Sequence, residues 1–129
     1  MKVFLDTSLL SDARLSEFGG EILDQIEAGS SFYVSSLTHF QLMWGYALAG
    51  MSPSSYQAFL RKTGTEVAPL TKADAELAAE MKPGRADLLD ALIAATAKRY
   101  DATVWTLGRD FLRLMPETRV RVLGSDGER

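Results

Sequence analysis

Short apolar runs and longer stretches of helical periodicity alternate along the chain. Lys2-Val3-Phe4-Leu5 is a β-prone run that stops abruptly at Asp6-Thr7-Ser8, where a carboxylate and two hydroxyls suit a helix cap. From Phe18 to Ala28, the residues Phe18, Ile22, Leu23 and Ile26 fall at helical spacing, and Gly29 supplies a C-terminal stop. Phe32-Tyr33-Val34 predicts a second strand. After Ser35 and Ser36 comes a helix in which Phe40, Met43, Trp44, Ala47 and Met51 form one apolar stripe, expected to face the core. Gly50, Ser52, Pro53 and Ser54 punctuate, and Tyr56, Phe59 and Leu60 predict a third helix with Pro53 near its first turn.

The second half repeats the rhythm. Glu66 to Leu70 reads as a weak strand that Pro69 confines to a sheet edge, and Thr71 to Asp74 caps an alanine-rich helix running to Met81. Pro83-Gly84 closes that helix. Asp87 to Tyr100 carries the strongest helical signal, with Lys98 and Arg99 at the end that the helix dipole favours. Thr103 to Thr106 predicts a strand, Arg109 to Met115 a short helix and Val120 to Leu123 a last strand. Strands separated by helical stretches imply right-handed crossovers, hence a three-layer α/β/α sandwich with a mainly parallel central sheet. A single domain over 1–124 and a tail over 125–129 are expected, with no internal repeat or linker.

Composition narrows the possible chemistry. The 129 residues are 47% apolar and 24% charged, as in ordinary globular domains, and contain no cysteine. Disulfides, thiolate zinc sites and cysteine nucleophiles are therefore excluded. No apolar run approaches the ~20 residues of a membrane helix, and no cleavable signal opens the chain, so a cytoplasmic location without membrane contact is expected. A net charge of −3 argues against bulk electrostatic coating of nucleic acid. The charge is nonetheless uneven: residues 98 to 121 hold six basic side chains against three acidic ones. They offer a local basic surface.

In parallel sheets, ligands bind beyond the carboxyl ends of the strands. Those ends present Asp6-Thr7-Ser8, then Ser35, Ser36 and Thr38, then Thr106 with Arg109 and Asp110. Asp87 and Asp90, three apart and on one face, head the strong helix at the same rim. An apolar strand that ends in a carboxylate is costly unless the charge is paired or bound, which singles out Asp6. Asp87 is expected to cap its helix, whereas Asp90, beside small alanines, is expected to be functional. Oxygen donors without cysteine point to a hard cation, Mg²⁺ or Mn²⁺. The lone His39 cannot build a zinc site or a serine triad, and is expected to be a surface or contact residue. No phosphate-cradling glycine motif occurs. An aspartyl-phosphate enzyme would want a second aspartate where Ser8 stands.

Together, Val3-Phe4-Leu5-Asp6-Thr7-Ser8-Leu9-Leu10, Val34-Ser35-Ser36-Leu37-Thr38, Asp90-Ala91-Leu92-Ile93-Ala94-Ala95-Thr96-Ala97 and Thr103-Val104-Trp105-Thr106-Leu107-Gly108-Arg109-Asp110-Phe111 resemble a PIN domain of the VapC-like kind. The resemblance spans nearly the whole chain. It implies a metal-dependent endoribonuclease, the toxin of a toxin–antitoxin pair, with RNA as substrate, a cognate antitoxin and a homodimer. By the same resemblance Asp6 and Asp90 match metal-binding acids, and Thr7, Ser8 and Thr106 match their polar supports. Gln41 stands where the family usually has Glu, and Gly108 where it has Asp or Asn, with Asp110 as the substitute. Lys98, Arg109 and Arg113 are the expected RNA-backbone contacts. The two departures keep open a second reading, a catalytically weakened PIN fold that binds RNA or a partner protein. If Trp44, Tyr46 or Tyr56 are exposed, they suit a dimer face or a groove for an antitoxin helix.

Overall fold

Val3, Phe4 and Leu5 are all buried, as a strand covered on both faces requires. In the computed structural model, which describes residues 1–124, this strand, β1 (Lys2–Leu5), lies in the middle of a five-stranded sheet. The others are β2 (Ser31–Ser35), β3 (Glu66–Ala68), β4 (Thr103–Thr106) and β5 (Val120–Val122), in the order β3-β2-β1-β4-β5. Every pairing is parallel, with Leu5 in register with Trp105. The chain builds outward from β1 to β3, then crosses back to place β4 on the other side of β1. A topological switch point therefore lies between the carboxyl ends of β1 and β4.

The pleat sends alternate side chains into two cores. Val3, Leu5, Phe32, Val34 and Trp105 face a layer made by α1 (Asp12–Glu27), α3 (Ser54–Thr63) and the inner side of α2 (Ser36–Ala49). Phe4, Tyr33 and Val104 face α5 (Leu88–Arg99), whose Ile93, Ala94 and Ala97 sit on the sheet. Behind it, α4 (Lys72–Glu80) packs Ala78 against Ala91 and Ala95 of α5. Small residues let the two helices approach closely. The result is the expected three-layer α/β/α sandwich.

α4 is pinned by a buried carboxylate. Thr71 and Asp74 form a reciprocal capping box, and Asp74 also accepts hydrogen bonds from Arg99 Nε at 2.8 Å and Thr96 Oγ1 at 2.9 Å. Burial alone would raise the Asp74 pKa. The Arg99 guanidinium, the Thr71 N–H and the Thr96 hydroxyl outweigh it and hold the carboxyl below its ordinary value.

Several local expectations need correction. α1 begins at Asp12, capped by the Ser11 hydroxyl, because its first turns expose polar residues that hide the periodicity. Asp6-Thr7-Ser8 opens only a 3-10 turn over Thr7–Leu9, and the Asp6 side chain makes no capping bond. The 109–115 helix is a 3-10 turn, Asp110–Arg113. The largest correction concerns α2: of its expected core stripe only Met43 packs inward, while Phe40 and Trp44 are 62% and 57% exposed. Leu42, Met43 and Tyr46 face the core instead. Tyr56 is fully buried and its hydroxyl meets Nδ1 of His39 at 2.7 Å, so His39 is a contact between α2 and α3. The expected tail, 125–129, lies outside the described residues.

Candidate active site

The carboxyl end of β1 is tied to β4 by the Asp6 N–H, which donates to the Trp105 carbonyl at 3.0 Å. This holds the Asp6 side chain at the switch point. Oδ2 of Asp6 accepts from Ser8 Oγ at 2.8 Å and from Thr106 Oγ1 at 2.9 Å. Each hydroxyl is itself oriented from behind: Leu107 N–H donates to Ser8 Oγ at 3.1 Å, and Gly108 N–H donates to Thr106 Oγ1 at 3.3 Å. The chain of donors runs one way, toward Asp6. Among the described residues no hydrogen bond is made to Asp6 Oδ1, so one oxygen is held and the other is available.

Asp90, in the first turn of α5, comes to the same rim. Burial pushes its carboxyl up, and the negative charges of Asp6, Asp110 and Asp87 push it further, to about 6. Among the described residues its side chain makes no hydrogen bond. An acid raised in this way is one from which a cation would relieve both costs. The sign of its effect on stability follows: the folded chain holds the proton more tightly than the unfolded one, so stability is lost as pH rises from about 4 to about 6. Asp90→Asn is thus expected to stabilise the metal-free chain by about 2 kcal/mol at pH 7.5 and by much less at pH 4.5. Thermal unfolding in a chelator at both pH values checks this; equal effects at the two would refute it.

The remaining expected residues divide. Thr7 donates to Gln41 Oε1 at 2.9 Å, so Gln41 sits beside the Asp6 elbow as a neutral amide. Thr38 is turned away: it is buried and receives the Ser35 hydroxyl at 3.2 Å within the cap of α2. Asp87 makes no helix-capping bond, contrary to expectation, and instead receives a two-pronged contact from Arg113. Asp110 also pairs with Arg113, at 3.1 Å. This fork across two acids has no local sequence signal. Lys98 lies in the last turn of α5, at the opposite end of the sheet from the rim. There it borders a cleft of about 460 Å³ with Leu77, Met81, Leu114 and Arg119. Arg109 is exposed in the loop after β4 and makes no ion pair among the described residues.

The donors at the rim are all oxygens, which suits a hard cation. Among the described residues no three His, Asp or Glu side chains form a ligand cluster by themselves. Mg²⁺ does not require such a cluster, because it commonly takes one or two carboxylates and fills its remaining positions with water and phosphate oxygens.

A family model, the PIN domain, matches residues 3–115. The chain belongs to the PIN domain family. Among solved structures, this PIN domain is similar to a chain of the VapBC2 complex from Rickettsia felis bound to a DNA fragment from their promoter. Identity there is 17%, the TM-score is 0.69, and the match covers 96% of this chain and 100% of that one. It is also similar to a chain of a toxin–antitoxin complex from Klebsiella pneumoniae, with 21% identity, a TM-score of 0.61, and coverage of 92% and 94%. Among curated protein sequences none matches. In this PIN domain no helix among the described residues is long and apolar enough to cross a membrane.

Proposed function

We propose that this PIN domain is an endoribonuclease that hydrolyses RNA phosphodiester bonds with Mg²⁺ or Mn²⁺, and that it is the toxin of a toxin–antitoxin pair acting in the cytoplasm. The observation that carries this reading is the paired acid arrangement at the switch point. Asp6 is held by two oriented hydroxyls with one oxygen available, and its charge is among those that push the Asp90 carboxyl up. When bound, a divalent ion supplies an activated water and neutralises charge on the attacked phosphate. Asp6 and Asp90 would hold it, while Ser8 and Thr106 fix the orientation of Asp6. Arg109, exposed beside the rim, would bind an RNA phosphate without reading sequence.

The partner half of the proposal is supported by the assemblies to which the fold is similar, and by the outer face of α2. Phe40, Trp44 and Leu48, four residues apart in turn, are 62%, 57% and 69% exposed there. A contiguous apolar face of this kind marks an interaction surface, suited to an antitoxin segment or a second copy in a homodimer.

Cleavage of RNA by the purified chain with Mg²⁺ or Mn²⁺, lost on chelation, tests the nuclease reading. Gln41→Glu adds an anionic group beside Asp6 and is expected to raise cleavage at limiting metal by about tenfold. A parent that binds RNA but never cleaves, beside a Gln41→Glu variant that does, would instead establish the weakened binding protein. The neutral Thr7–Gln41 link is the feature that favours that second reading.

A further inference from the structure

The rim carries a cation for which the proposed reaction has no use. Arg113 Nε donates to Asp87 Oδ2 at 3.0 Å and Nη2 to Asp87 Oδ1 at 2.6 Å, while Nη2 also reaches Asp110 Oδ1 at 3.1 Å. Asp87 immediately precedes α5 and its side chain is 13% exposed, whereas Arg113 and Asp110 are 57% and 61% exposed. One flexible side chain therefore bridges the start of α5, which carries Asp90 in its first turn, to the turn after β4, whose last residue Thr106 holds Asp6. Two-pronged arginine–carboxylate contacts are the strong form of the ion pair, and an ammonium cannot copy the fork. Both acids that Arg113 engages also act on Asp90, and Arg113 is the positive charge that partly offsets them.

We propose that Arg113 is an internal counter-ion that competes with the divalent ion for the acidic rim, occupying Asp87 and Asp110 and so setting how tightly the ion is held. The proposal rests on the reading of Asp6 and Asp90 as ion ligands. Its physical content is simple. A fixed positive charge at the rim repels an incoming cation and cancels the field of two nearby carboxylates. Arg113 is thus a positioning residue that acts through those acids, and its removal should improve ion binding while loosening the metal-free fold.

Mn²⁺ titration of the full chain, with free Mn²⁺ read by electron paramagnetic resonance, separates the possibilities. Arg113→Gln is expected to bind Mn²⁺ about tenfold more tightly than the parent, although it unfolds at a lower temperature in a chelator. Arg113→Lys keeps the charge and should stay within about twofold of the parent. A purely structural clamp predicts the opposite for Arg113→Gln, unchanged or weaker binding, and that result overturns the proposal. If Arg113→Gln folds poorly, the parent gives the answer by nuclear magnetic resonance. The Arg113 Nε–H signal must shift as Mg²⁺ is added, and a signal that stays fixed while the Asp90 amide responds overturns the role. Mn²⁺ binding that survives Asp90→Asn unchanged overturns the ion-site reading itself, and this proposal with it.

Discussion

Asp6→Asn and Asp90→Asn are each expected to lower RNA cleavage by about 10²-fold or more while leaving the chain folded. Asparagine keeps the shape of aspartate and retains an acceptor for the Ser8 and Thr106 hydroxyls, which donate to Asp6 at 2.8 and 2.9 Å. What it loses is the negative charge. With only two carboxylates proposed to hold the ion, losing either removes half of the anionic ligation, and weaker ion binding and slower chemistry compound. Asp101→Asn is the control with the same change of charge. Asp101 precedes β4 at the opposite end of the sheet, and its left-handed backbone, φ 54°, is one that asparagine accepts readily. Cleavage should be unchanged in that variant. If the Asp6 and Asp90 variants cleave like the parent, the activity belongs to another site or another protein.

Asp74→Ala is expected to destabilise the fold by about 3 kcal/mol, a fall in Tm of roughly 10 °C. The substitution removes the side-chain half of the capping box of α4, the acceptor of the Thr71 N–H, together with the partner of Arg99, and strips a bond from Thr96. Arg99 can turn toward water and Thr96 keeps its bond to the Leu92 carbonyl, which holds the loss below that of a fully enclosed ion pair. The pH dependence has a definite sign. A carboxyl whose folded pKa lies below its ordinary 3.8 contributes stability above that pH and loses it as the solution is acidified further. The gap between parent and variant should therefore be full at pH 7 and shrink below about pH 4. Urea unfolding across that range measures it, and a gap that widened in acid would contradict this account of Asp74.

The strands were legible because each is a short apolar or β-branched run bounded by polar residues, and Asp6 stood out because a charge at the end of such a run needs a reason. Asp90 was legible for a related cause, an acid leading a helix otherwise made of small apolar residues. Periodicity failed where it had no contrast to report. α2 is apolar around most of its circumference, so spacing alone could not say whether Trp44 or Leu42 faces the core. The start of α1 is hidden because its first turns, from Asp12 to Glu17, are mostly polar and exposed and dilute its pattern. The Arg113–Asp87 fork joins residues 26 positions apart on different elements, a juxtaposition that only the tertiary fold creates. Gln41 was flagged by resemblance, yet its bond to Thr7 depends on how α2 leans on the elbow after β1.

The position of β1 between β2 and β4 has a consequence for synthesis. Asp6 is made 100 residues before Thr106, which with the amides of Leu107 and Gly108 forms the wall that orients it. A nascent or truncated chain ending before β4 has the acids without the scaffold that aims them. Whatever chemistry these acids carry out therefore waits until β4 has been made and has folded against β1.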